Sequence, residues 1–202
     1  MLVLRKLAAI AISYLVFFFI PSLAHGQQID AAFGVGTMSA PSASSASGKY
    51  SAQSLGGGAF ASFSGDFVFK NGVGFQAEAA WRASQALYQG FQPYRPILYD
   101  FNLIYAPQRA KVVQPELLAG FGGESIRFYQ PFTTCSTFSC SNFVSNNHLL
   151  GHVGGGLRFY LMHSIFVAPE AHAYFIRNNF EFSSAHAERY GIKLGYTFAP
   201  RD

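Results

Sequence analysis

The segment Ser183-Ser184-Ala185-His186, followed by Glu188, brings a nucleophile, a base and an acid closest together in this chain. A hydroxyl attacks an acyl group when an imidazole lies in hydrogen-bond reach and a carboxylate orients that imidazole. Alternation along an extended chain puts Ser184, His186 and Glu188 on one side. A polar loop entering a strand produces such a set often, so no catalytic residue is assigned. His148, His152 and His172 fall on inward strand faces, where solitary histidines usually form hydrogen bonds; neither a metal site nor a cofactor is expected. Gly34-Val-Gly36 and Gly120-Phe-Gly-Gly123 lack the helix that must follow a phosphate loop. Cys135 and Cys140 are the chain's two cysteines, with no further ligand near enough for zinc. In an exported chain they are expected to pair as a disulfide, two free thiols being the alternative.

Export is read from residues 1–26. Arg5 and Lys6 precede an apolar run from Leu7 to Ile20, Pro21 ends it, and Ala24-His25-Gly26 offers small residues for cleavage before Gln27. The run is about 14 residues, short of the roughly 20 that a spanning helix needs. Residues 27–202 are then expected to form one domain. Only 12% of the chain is charged, while it holds 22 Phe, 11 Tyr and 20 Gly. A formal charge of +4 could suggest nucleic acid, but no Lys/Arg cluster is present to follow phosphates, so nucleic acid is excluded as a partner.

Periodicity names the elements that must carry these groups. Val73, Phe75, Ala77, Ala79 and Trp81 alternate with Gly74, Gln76, Glu78, Ala80 and Arg82, which is the period of a strand. Tyr190, Ile192, Leu194, Tyr196 and Phe198 repeat the pattern near the end. Six further strands are expected at about 29–37, 55–69, 97–105, 112–128, 148–161 and 165–176, many of them long enough for the 9–11 residues of a tilted membrane strand. Long connections at 38–54, 83–96, 129–147 and 177–185 alternate with tight ones at 70–72, 106–110 and 162–164. Lys70-Asn71-Gly72 is expected to supply the positive φ angles of a hairpin turn. Pro115 and Pro169 are expected at rims or bulges. Long and short connections across an even strand count predict an all-β, eight-stranded, antiparallel up-and-down transmembrane barrel.

The two faces differ in kind. One is Val, Phe, Leu, Ile, Ala, Trp and Tyr; the other carries Glu78, Arg82, Asp100, Glu116, Arg158, Glu170 and Lys193. A bilayer requires apolar residues outside and polar ones inside, the reverse of a soluble lipid carrier. The inward charges are expected to pair across a narrow lumen, because unpaired buried charge is costly. Trp81, Tyr99, Tyr105, Tyr196 and Phe198 are expected where lipid meets water.

On the strand alternation, the Pro-Glu and Gly-rich hairpin segments and the closing strand Tyr190–Phe198, residues 27–202 resemble the small outer-membrane β-barrel family of OmpA- and OmpX-like and "porin family" proteins. In that family a final strand ending in an aromatic is read by the barrel-assembly machinery; here Ala199-Pro200-Arg201-Asp202 follow Phe198. The resemblance is to the barrel alone, so no tether to the cell wall is expected. It implies outer-membrane lipid, lipopolysaccharide, periplasmic chaperones and the assembly machinery as partners, with the external partner unidentified. The expected role is structural, or surface interaction through the external loops. A narrow channel is the alternative, and a lipid A-modifying enzyme ranks third because the His-x-Ser pattern of the deacylases has no match.

Overall fold

The computed structural model describes residues 27–40, 54–107, 110, 112–135, 140–179, 181–182 and 185–199. The segment read as a signal peptide lies outside them, as do Ser183, Ser184 and most of the loop 38–54. Every regular element among the described residues is a strand: β1 Gln28–Ser39, β2 Ala59–Val68, β3 Val73–Arg82, β4 Ala86–Tyr88, β5 Gln92–Tyr105, β6 Val113–Cys135, β7 Cys140–Tyr160, β8 Ile165–Ile176 and β9 His186–Ala199. They run in the order β3-β2-β1-β9-β8-β7-β6-β5-β4, and pairing of β3 with β5 closes the sheet. The short β4 folds back on β5 alone. The result is a closed eight-stranded antiparallel barrel with every strand paired to its sequence neighbour around the ring.

Alternation along each strand separates an outward apolar face from an inward face that carries the buried charges. In β9, Tyr190, Ile192, Leu194, Tyr196 and Phe198 are exposed while Arg189, Lys193 and Thr197 are buried. Phe33, Phe63, Phe75, Phe101, Leu117 and Phe121 continue the exposed apolar surface around the wall. Water would oppose so much exposed hydrocarbon, whereas a bilayer accepts it. No helix among the described residues is long and apolar enough to cross a membrane, which says nothing of a barrel of strands.

Several boundaries differ from the sequence expectation, each for a local reason. β2 starts at Ala59 rather than Leu55, because Gly57 and Gly58 take φ near +80° and break the extended chain. At 70–72 only Gly72 has positive φ; the Asn71 side chain instead accepts a hydrogen bond from the Val73 N–H at 3.1 Å. The segment 83–96, expected to be a long connection, holds β4, the start of β5 and the whole β4–β5 ladder. The segment 129–147 is largely strand as well: β6 and β7 run on as a two-stranded arm to Cys135 and Cys140. Aromatic and β-branched residues on both sides of that tip favour the ladder. Pro169 sits where the β7–β8 ladder is interrupted, between the Gly156–Glu170 and Phe159–Val167 pairs, as its missing N–H requires.

Candidate functional site

Among the described residues the lumen carries the densest cluster of ionisable groups, and it is stacked in layers. At the end bearing the tight turns, Gln28 donates to Asp30 at 2.7 Å and to the Tyr160 hydroxyl at 3.0 Å, and Tyr160 donates to Gln114 at 2.9 Å. Above this floor Arg158 reaches from β7 across the barrel. Its Nε donates to Glu116 on β6 and its Nη2 to Asp66 on β2, both at 2.6 Å, while Nη1 binds Asp30 on β1. In a ring of eight strands β2 lies directly opposite β7, so one guanidinium ties facing walls together.

A second layer is built from β9. Lys193 Nζ lies 2.7 Å from Glu78 on β3 and 2.6 Å from Glu170 on β8, and Arg189 binds the same two carboxylates. Next to it runs a chain of neutral and ionisable partners. His172 Nε2 is 3.1 Å from Glu170, His172 Nδ1 is 2.8 Å from His152 Nε2, and His152 Nδ1 is 2.7 Å from Asn102, which donates to Gln76 at 3.2 Å. The two imidazoles and Tyr174 stack nearly parallel. Gly154 makes the space, since a Cβ there would lie 2.8 Å from His172 Nδ1.

At the end bearing the long connections the inner face turns apolar. Leu98, Ile126, Leu150, Ile176 and Tyr94 from the strands pack with Leu55 and Phe182 from the loops into one buried cluster. Glu124 is enclosed at this level, and both its carboxylate oxygens lack a partner. Near it Glu181 accepts from Asn146 at 2.6 Å and meets His148 at 3.0 Å. This apolar lid departs from the polar interior expected from the sequence. Leu98, Ile126 and Leu150 occupy inward positions by alternation, but their type matches the outer face and hid them.

Glu116 and Arg158 meet in the first ionic layer, and Glu78, Glu170 and Lys193 meet in the second. Asp100 faces Asn102 and His152 rather than an Arg or Lys. Arg82 stands at the end bearing the long connections, donating to the Tyr94 hydroxyl at 3.4 Å, and meets no carboxylate among the described residues. Asp30, Asp66 and Arg189 complete the layers and were not singled out, although the same period-two alternation points to them. Trp81 and Tyr99 lie outward toward the long connections; Tyr105, Tyr196 and Phe198 lie outward near the tight turns. Cys135 and Cys140 form a disulfide at the tip of the β6–β7 arm.

Glu78, Glu170 and His172 offer oxygen and nitrogen atoms within 4.8 Å of one another, a spacing suited to a metal ion. Lys193 and Arg189 already supply positive charge to both carboxylates, so an added cation would have to displace them. On β9, His186 and Glu188 point outward, and Glu188 accepts from the Tyr190 hydroxyl at 2.5 Å.

An apolar exterior around a filled polar interior, on eight strands joined by alternating short and long connections, defines the small outer-membrane β-barrel. Solved structures of that class share the fold. Neisserial surface protein A superposes with a TM-score of 0.57 at 10% identity, covering 86% of this chain and 97% of that one. The N-terminal barrel domain of Pseudomonas aeruginosa OprF gives 0.53 at 13% identity, covering 86% and 98%. Ail, the attachment invasion locus protein of Yersinia pestis, gives 0.52 at 12% identity, covering 86% and 99%. No family model matches the sequence, and no curated protein matches it.

Proposed function

We propose that this chain, exported by removal of residues 1–26, is a closed outer-membrane barrel that acts at the cell surface through its external connections and catalyses no reaction. The observation that carries this reading is the filled lumen. Two ionic layers bridge strands across the lumen, and an apolar lid lies above them. Water and solutes would have to break buried ion pairs and then cross a dry plug, each of which is costly. The β6–β7 arm, closed by Cys135 and Cys140, stands beyond the apolar belt and offers a surface to an external partner. Lipid and lipopolysaccharide surround the belt, and periplasmic chaperones and the assembly machinery deliver the chain.

A narrow cation path is the second reading, favoured by one observation. The buried acids Asp30, Asp66, Glu78, Asp100, Glu116, Glu124 and Glu170 outnumber the buried bases Arg158, Arg189 and Lys193. Planar-bilayer recording of the refolded barrel separates the two: the closed reading expects no steady current in potassium chloride. A reproducible cation-selective conductance would overturn it. Expression in a host followed by mass analysis of its lipid A is expected to show unchanged acyl chains.

A further inference from the structure

On the outer wall of β5, β6 and β7 the residues change from apolar to basic over a few rows. Phe101, Phe121 and Gly151 align across the three strands; the row above is Tyr99, Gly123 and Leu149. Ile97, Ser125 and Asn147 follow, and then Arg95, Arg127 and Ser145. Successive outward rows are separated by two residues, about 5 Å along the axis of a tilted barrel. The arginines thus stand about 10 Å above Tyr99, in reach of a headgroup layer about 5–8 Å deep.

Arg95 and Arg127 are direct cross-strand neighbours, an arrangement that like charges disfavour. They lean apart: Arg95 donates to the Ala83 carbonyl at 3.3 Å, and Arg127 lies 4.7 Å over the Phe143 ring. Neither meets a carboxylate among the described residues, and both Nε atoms are enclosed without a partner. Just below, a furrow of about 430 Å³ runs along the wall between Tyr99, Phe121, Gly123 and Leu149. Gly123 lets the Tyr99 ring lie flat along this wall, since a Cβ there would lie 2.5 Å from the Tyr99 hydroxyl. Two unneutralised guanidiniums above an apolar groove complement a molecule with an anionic head and a hydrocarbon tail.

We infer that this wall binds lipopolysaccharide, with a lipid A phosphate between Arg95 and Arg127 and an acyl chain in the furrow beneath. The inference rests on the orientation proposed above, with the β6–β7 arm outside. The test uses residues 27–202 refolded in phosphatidylcholine nanodiscs doped with diphosphorylated lipid A, with phosphate-free lipid A, or with phosphatidylglycerol. Lipid retained per barrel is measured after detergent extraction and purification.

The wild type is expected to retain diphosphorylated lipid A at least tenfold better than either comparison lipid. Arg95→Gln with Arg127→Gln is expected to remove that preference, whereas Lys70→Gln, exposed at the tight turn between β2 and β3 at the other end of the barrel, is expected to leave it unchanged. Equal retention of the three lipids by the wild type overturns the site and needs no variant to fold. So does full retention by a folded double variant. A chain that never gains heat-modifiable migration in the nanodiscs would instead bring down the barrel reading on which the site depends.

Discussion

Arg158 is the residue on which the lower lumen depends, and its side-chain geometry explains why it is not a lysine. The planar fork presents Nε, Nη1 and Nη2 in three directions, and each meets a different carboxylate on a different strand. Replacement by leucine leaves Asp30, Asp66 and Glu116 facing one another with their shared cation gone. Removing one partner of a buried ion pair costs about 3–5 kcal/mol, so Arg158→Leu should lower the urea midpoint of the refolded barrel by a corresponding amount. Adding Asp66→Asn to that variant should recover part of the loss, because one of the three stranded charges is then neutral. An unchanged midpoint in Arg158→Leu would mean that the layer is solvated and not a tie. Of the carboxylates on this guanidinium, Glu116 was legible through its place in an alternating strand. Asp30 and Asp66 were equally well marked, but pairing across the ring cannot be seen until the ring is closed. Arg189 escaped for a different reason: it precedes the aromatic run from Tyr190 that defines the closing strand in sequence.

At the scale of the element, β9 states the rule of the fold in adjacent residues. Lys193 is 3% exposed inside the barrel, and Leu194 is 59% exposed on the outer wall. A charge is accepted at the first because Glu78 and Glu170 receive it, and refused at the second because only hydrocarbon is there. Leu194→Arg should therefore cost about 2–4 kcal/mol if it lies near the midplane, read as reduced folding yield in liposomes. Tolerance equal to wild type would contradict the assignment of that face to lipid. The β6–β7 arm makes the opposite prediction. Thr134–Ser141 pairing already sets its register beside the disulfide, and the bond spans a separation of only 5 residues. Little chain entropy is lost by closing so short a loop, so Cys135→Ser with Cys140→Ser should leave the barrel's melting temperature unchanged and only quicken proteolysis at the tip. Strand cores were legible from alternation alone. Strand ends were not, because outside the bilayer a ladder can continue through residues whose pattern no longer distinguishes two faces, as at Tyr129–Thr134.

For the whole molecule, the decisive property is that its closures lie in series. The Arg158 layer, the Arg189–Lys193 layer and the apolar lid occupy successive levels of one tube, and current through a tube is limited by its tightest level. Loss of a single level should consequently leave conductance at the wild-type value, even when that loss costs stability. Arg158→Ala alone should be silent in a planar bilayer. So should a variant with Phe182→Ala and Leu98→Ser, which loosens the lid while both ionic layers stay paired. Only a barrel altered at all three levels should pass current. The excess of acids over bases left inside should then make that current cation-selective. Each variant is judged on its heat-modifiable, folded fraction, so that unfolded chains do not count as silent ones. If Arg158→Ala conducts by itself, the upper levels are not seals, and the narrow-channel reading replaces the closed one.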